Sequence, residues 1–453
     1  MRPRVRWLAG LGILLLGAVL PARGGGPPLD RFILCTAPSA SIDDLLARHG
    51  LERLGEDPAH SMFLVEATAA LPPEDLEVEV EAETDVLGFE PLQAVRVPEA
   101  LSTAALNQST SAILDALADG SLVGFYDAGA WIGYVDQPAG RRVRLPEVRA
   151  AATGRGAIVA IIDTGVDSEH PLLRPQLVPG YDFVRDVPGF GSELLDLDPS
   201  AMDVLSDRRM GPVTGVAVNQ STSAILDQTT ATRLDTTRLP AAFGHGTMVA
   251  GIVHLVAPEA RIMPLKAFRG DGTSTTFDIL RAIYYAVDHG AKVINMSFSL
   301  AGPSRELTRA LEFAGSRGVI CVASAGNDGY EDPLVYPAAS SNVMAVAATD
   351  DADVRSWFSN YGQELIHLAA PGEGIITVYP GGRYAAAWGT SFSAPFVTGA
   401  AALLAGIDPG TDQARAADDL SHAVRLTEEL GHGRLDLYQG VAQRHDSQPD
   451  GNR

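Results

Sequence analysis

At 453 residues, 46% of them hydrophobic, the chain can bury a sizeable core and is too long for one domain to use all of it. Its 34 Lys and Arg against 56 Asp and Glu leave a net charge of -22, which excludes non-specific attraction to nucleic acid or to an anionic membrane surface. With only Cys35 and Cys321, a disulfide-stapled scaffold is excluded too, and both are read as free, buried small hydrophobes.

Arg2, Arg4 and Arg6 precede an apolar run from Leu8 to Leu20, followed by small residues at Ala22 and Gly24. That run suits a signal-peptide core and is too short to span a bilayer as a helix, so residues 1–24 are expected to direct export and the product to be secreted or periplasmic. Residues 30–100 carry 16 Asp and Glu against 4 Lys and Arg, a composition that marks them off as a separate unit. Within it, Arg31 to Cys35 and Phe63 to Glu66 read as strands and Ser41 to His49 as a helix with Ser41 at its N-cap. The acid and apolar alternation of residues 74–83 fits a helix or an edge strand.

Residues 101–130 read as a linker. They contain Asn107 to Asp115 (NQSTSAILD), which recurs unchanged at Asn219 to Asp227 and runs into a degenerate copy ending at Asp235. The repeat is too short for a solenoid unit, and its Ser/Thr-rich composition predicts an exposed insertion loop over 219–235. From Gly156 onward, Ala157 to Ile162, Lys292 to Met296, Val319 to Ala323 and Val343 to Ala347 are near-continuous apolar strands, the pattern of a parallel sheet covered on both faces. Leu280, Ile283, Tyr284 and Val287 repeat at helical spacing behind a capping box at Thr275 and Asp278, and Gly290 ends that helix. The fold class is α/β, with a main body over 131–442 and a polar, disordered tail at 443–453.

Three motifs stand at the ends of these elements: Asp163 in DTGVD, His245 in GHGTMVAGI, and Ser391 in GTSFSAP ahead of an apolar helix from Phe396 to Leu404. A serine hydroxyl is a poor nucleophile near neutral pH, so an imidazole must take its proton and a buried carboxylate must orient that imidazole. With their order Asp, His, Ser, the three motifs resemble the subtilisin-like serine proteases (peptidase S8) over residues 131–442. The resemblance implies a three-layer fold with a mostly parallel central sheet and a serine endopeptidase working through an acyl-enzyme. Ser391 would be nucleophile, His245 general base and acid, and Asp163 its orienter. Asn327 in ASAGNDG matches the side-chain donor of the oxyanion hole.

The same resemblance implies that polypeptide substrate lies as an added strand along Met296–Leu300 and Ala323–Gly326, with Ser297, Phe298, Ser299, Ser324, Ala325 and Gly326 as binding residues. Relatives commonly show Ser-x-Gly where this chain has Ser297-Phe298-Ser299, so the Ser299 side chain is expected to make the rim of the first specificity pocket tighter or more polar. Met248, where many relatives have His, touches no triad role. Residues 30–100 resemble the inhibitory propeptide of the family, with VLGFEPLQAVRVP as the strand and tail that enter the cleft. An autoprocessed, monomeric precursor follows, with its own propeptide as intramolecular inhibitor and a mature form starting between residues 99 and 131. No Cys/His spacing suggests zinc and no cofactor is required. Asp186, Asp196, Asp198 and Asp203 form an oxygen-rich loop, and calcium is common among relatives. The alternative is a catalytically silent secreted binding or scaffold protein on the same fold.

Overall fold

The computed structural model describes residues 30–68, 72–97, 121–126, 128–198, 215–218, 223–227, 239–300 and 302–442. The expected signal segment, the first repeat copy and the C-terminal tail lie outside them.

The acidic N-terminal unit is an antiparallel sheet of β1 (Arg31–Thr36), β2 (Leu51–Asp57), β3 (Met62–Ala67) and β4 (Val86–Pro91), in the order β2-β3-β1-β4, with helices Ile42–His49 and Pro73–Glu81 on one face. The ambiguous segment 74–83 is thus a helix, because Leu76 and Val80, four residues apart, share one buried stripe. Ser41 sits at the N-cap of the first helix without a side-chain capping bond. Phe32 and Leu34 face these helices, with Phe32 stacked on Phe89 at 4.6 Å, and complete a small core with Leu45, Leu46 and Val65. The alternate residue Ile33, with Met62, joins the core of the larger body instead. This sheet is covered on both faces, which is why β1 reads as an unbroken apolar run.

The larger body opens with a hairpin, β6 (Leu122–Phe125) and β7 (Ala128–Trp131), after the short β5 (Ala94–Arg96). Phe125 and Trp131 lie in its main core, so the body begins by Leu122, earlier than the boundary expected at 131. Its central sheet has the order β10-β9-β13-β8-β15-β16-β17-β18. The strands are β8 (Ile158–Asp163), β9 (Gly180–Asp182), β10 (Val187–Gly189), β13 (Arg261–Lys266), β15 (Val293–Met296), β16 (Ile320–Ser324), β17 (Met344–Thr349) and β18 (Leu368–Pro371). All neighbours run parallel except β10, which pairs antiparallel with β9 at the edge.

Successive side chains on β8 alternate between two cores. Val159 and Ile161 meet helices His245–Val256 and Thr390–Ile407, while Ala160 and Ile162 meet helices Thr276–Asp288 and Arg305–Ser316. The chain leaves β8 for β13 through the first of these faces, then reaches β15, on the other side of β8, through the second. That reversal opens a crevice beyond the carboxyl ends of β8 and its neighbours, the place where α/β sheets bind ligands. Helix Thr390–Ile407 is long and apolar enough to cross a membrane, and it is mostly buried in this core.

The insertion differs from the expected loop. Residues Gly215–Val218 (β11) and Ser223–Asp227 (β12) form a hairpin, and β12, part of the second repeat copy, pairs with β20 (Arg383–Ala387), itself paired with β19 (Ile375–Tyr379). The physical reason is an open strand edge on β20, whose backbone groups a five-residue segment can satisfy.

Candidate active site

Asp163, His245 and Ser391 each stand at the end of an element. Asp163 is the last residue of β8 and is buried. Its Oδ1 and Oδ2 lie 2.8 and 3.0 Å from His245 Nδ1. His245 opens the helix His245–Val256 behind Gly244, and Gly246 brings that helix against the turn after Asp163: a Cβ on Gly246 would stand 2.1 Å from the Gly165 carbonyl oxygen. Phe392, the residue after Ser391, packs beside the imidazole with ring centroids 5.4 Å apart.

Ser391 lies inside the first turn of helix Thr390–Ile407, which starts earlier than the expected Phe396. Pro395 is the cause of the misreading and has a local consequence. It carries no N–H to donate to the carbonyl of Ser391 four residues back, and the Ser297 hydroxyl donates to that carbonyl instead, at 3.0 Å. Asn295 Nδ2 donates to the Ser297 hydroxyl at 2.9 Å, and Thr398 Oγ1 donates to Asn295 Oδ1 at 2.8 Å. The Ser391 hydroxyl donates to the Ser297 carbonyl at 3.4 Å.

Asn327 follows β16. Its side-chain oxygen accepts from both Thr390 N and Thr390 Oγ1 at 2.9 Å. A backbone N–H can only donate, so the oxygen must face Thr390, which turns the Asn327 NH₂ the other way. Asn360 braces the loop beneath: its Nδ2 donates to the Ala325 carbonyl at 2.8 Å, and its Oδ1 accepts from Asp328 N and Tyr330 N at 3.2 and 3.0 Å. Asn295, Asn360, Thr390 and Thr398 escaped the sequence reading because each acts through a backbone or side-chain partner distant in sequence.

Of the expected binding residues, Ser297 and Phe298 are fully buried. Ser297 is committed to Ser391, and Phe298 packs on Phe268 at 5.2 Å, so Phe298 offers the crevice backbone only. Ser299 pairs antiparallel with Arg96, its N–H donating to the Arg96 carbonyl at 3.1 Å, and its buried hydroxyl has no hydrogen-bond partner among the described residues. β5 pairs on its other side with β14 (Thr273–Thr275). The chain's own tail therefore lies between Ser299 and Thr273–Thr275, and not along Ala323–Gly326. There the Ala325 and Gly326 amides donate to the Val346 carbonyl and to Thr390 Oγ1, and the Gly326 carbonyl accepts from Asn360 N. Ser324 is buried, and its hydroxyl has no hydrogen-bond partner among the described residues.

Two of the candidate calcium ligands are engaged by cationic side chains. Asp186 accepts from Arg281 at 2.5 Å and from Tyr181 at 3.1 Å, while Asp196 accepts from Arg185 and Lys266, each at 2.6 Å. Asp203 lies outside the described residues, and among those described no three His, Cys, Asp or Glu side chains are placed to hold a metal. Both cysteines are free, Cys35 in the N-terminal sheet and Cys321 in β16.

A second buried cluster adjoins Asp163. The Glu193 carboxylate, with no solvent exposure, accepts from Thr164 Oγ1 and Gly244 N at 3.0 Å and contacts Thr247 Oγ1. Lys266, also fully buried, donates to the Thr164 carbonyl at 2.6 Å.

The sequence profile of the subtilase family, Peptidase S8, matches residues 154–441. Thermitase of Thermoactinomyces vulgaris is 32% identical over 66% of this chain and 94% of its own. The thermophilic serine proteinase of Bacillus sp. (strain AK1) is 34% identical over 63% of this chain and 62% of its own. Among solved structures, fervidolysin from Fervidobacterium pennivorans, a keratinolytic enzyme related to subtilisin, superposes with a TM-score of 0.65 at 21% identity, over 93% of this chain and 62% of its own, a likeness of fold. The chain belongs to the subtilase family and is a subtilisin-like serine endopeptidase.

Proposed function

We propose that the protein is a secreted, monomeric endopeptidase made as a precursor, that Asp163, His245 and Ser391 are its triad, and that residues 30–100 are an inhibitory propeptide removed by the domain they cover. One observation carries this reading. The strand Ala94–Arg96 lies antiparallel against Ser299, two residues beyond the Ser297 carbonyl that accepts from Ser391, so the chain's own tail occupies the crevice as an extended peptide would.

The steps follow from the geometry. Asp163 accepts the Nδ1 proton of His245, which leaves the lone pair on Nε2. The Ser391 hydroxyl turns from the Ser297 carbonyl to that nitrogen and gives up its proton as oxygen attacks the substrate carbonyl. The developing oxyanion meets the Ser391 N–H, one of the unpaired amides of a helix first turn, and the Asn327 NH₂ held ready by Thr390. The imidazolium then protonates the leaving amine, and water enters by the same route in reverse. Ser324, Ala325 and Gly326 wall the first specificity pocket.

The docking of the N-terminal unit supports a releasable inhibitor. The Glu90 carboxylate accepts from Ser304 Oγ at 2.6 Å and Arg305 N at 2.9 Å, capping helix Arg305–Ser316, and burial holds that carboxyl above its ordinary range. Gln93 exchanges bonds with Thr276 at the start of helix Thr276–Asp288. Gly88 lets the sheet approach, since a Cβ there would stand 1.9 Å from Glu306 Oε1. Export rests on the signal pattern of residues 1–24. A fluorophosphonate probe tests the triad: covalent labelling of the mature enzyme that is lost in Ser391→Ala is expected, and labelling that survives the substitution removes Ser391 as nucleophile.

A further inference from the structure

Two loops must hold Asp163 and His245 in register: the turn 163–167 that follows β8 and the helix start 244–247. Neither is long enough to pack a core of its own. Between them stands Glu193, first residue of a short 3-10 turn whose Ser192 hydroxyl accepts from Leu194 N at 3.3 Å. The turn is pressed against the Asp163 loop, for a Cβ on Gly165 would meet the Gly191 carbonyl oxygen at 2.5 Å and Glu193 N at 2.9 Å. Each loop then sends the carboxylate one threonine, and each threonine also accepts from the other loop. Thr164 Oγ1 donates to Glu193 and accepts from Gly246 N at 3.0 Å; Thr247 Oγ1 contacts Glu193 and accepts from Asp167 N at 2.8 Å. Gly244 N, adjacent to His245, donates to Glu193 directly at 3.0 Å.

We propose that Glu193 is a positioning residue of the peptidase reaction, cross-strapping the Asp163 turn to the His245 helix so that imidazole and carboxylate keep the geometry proton transfer requires. This rests on the triad assigned above. The carboxyl touches neither substrate nor reacting atoms in this role; it acts through Thr164, Thr247 and Gly244. Lys266 completes the support from the other side, its ammonium donating to the Thr164 and Phe268 carbonyls at 2.6 and 2.8 Å and to Asp196 at 2.6 Å.

Burial raises the Glu193 carboxyl to about 8, against hydrogen bonds from Thr247 and Thr164 and the charge of Lys266 that lower it, and with Asp163 raising it further. Near neutral pH the group is therefore mostly uncharged, and a glutamine has the shape and the donors to replace it: its oxygen can accept from Thr164 and Gly244 while its NH₂ donates to Thr247.

The mature enzyme is assayed with a tetrapeptide p-nitroanilide at pH 7. Glu193→Ala is expected to lower kcat about 10²-fold, the loss that follows when catalytic groups drift by about 1 Å, with KM within about threefold because the binding segments lie on other strands. Glu193→Gln is expected to keep kcat within about fivefold of the parent. An alanine variant within threefold of the parent, or a glutamine variant as impaired as the alanine one, overturns the inference. If Glu193→Ala does not fold, Thr247→Val decides: about a tenfold fall in kcat at constant KM is expected, and an unchanged kcat overturns it. Ser391→Ala is measured alongside; residual turnover there would sink the triad itself, a failure distinct from that of Glu193.

Discussion

The two parts of this protein are held by different physics. The peptidase body stacks helices on both faces of its sheet, and buried hydrogen bonds tie β15 and the residue after it, Ser297, to helix Thr390–Ile407. The N-terminal unit has a small core of its own and reaches the body through Ile33, Met62, Leu92, Val95 and Val97, through helix caps, and through both edges of β5. Hydrogen bonds to a helix terminus are directional and replaceable by water, whereas apolar burial is not. The difference is what the proposed removal of the N-terminal unit requires.

Asn327 belongs wholly to the body. Asn327→Ala should cut kcat about 10²- to 10³-fold, the loss known for the equivalent donor in a subtilisin, with KM little changed. An unchanged kcat in steady-state assays would remove the residue from the oxyanion site. Glu90 belongs to the N-terminal unit and caps a helix of the body. Truncating it leaves the Ser304 hydroxyl and Arg305 N–H without their partner, a cost of about 1–3 kcal/mol, so Glu90→Ala should weaken inhibition of the mature enzyme by the released N-terminal unit about 10- to 100-fold. Equal inhibition constants would show that the caps do not hold the cover.

Ser299 is shared by both parts. Its hydroxyl is buried with no partner among the described residues, so Ser299→Gly should raise kcat/KM for large aromatic P1 residues about 3- to 10-fold in a peptide library. An unaltered profile counts against a narrowed rim.

The smallest effect is on stability. With its carboxyl raised to about 8, Glu193 keeps a proton in the folded body that the unfolded chain releases from about pH 4.5 upward. The folded state then holds more protons than the unfolded one, and stability falls as pH rises from about 4.5 to about 8. In a Ser391→Ala background, which prevents autolysis, Glu193→Gln should match the parent Tm at pH 5 and exceed it by about 2–6 °C at pH 8. Parallel Tm curves would contradict this.

Most of the body was legible because β8, β15, β16 and β17 are buried on both faces and read as apolar runs. The acids and bases of the site stand directly at the strand and helix ends that those runs define. β2 was not legible, since LERLGED is largely exposed and charged, as edge strands are. The true start of helix Thr390–Ile407 was hidden by Pro395, whose missing N–H matters only once Ser297 is seen beside it. Glu193 gave no motif signal either: its meaning lies in three donors from two loops that sequence keeps 51 and 29 residues away.

Intact mass with N-terminal sequencing of the purified product tests most directly the proposal that Ser391 removes the N-terminal unit of its own chain. The parent should yield a form beginning after Val97 and before the core hairpin at Leu122, whereas Ser391→Ala should retain residues 30–97 on the same polypeptide. Identical maturation in Ser391→Ala, or a parent that stays full length with Ser391 intact, would contradict the account.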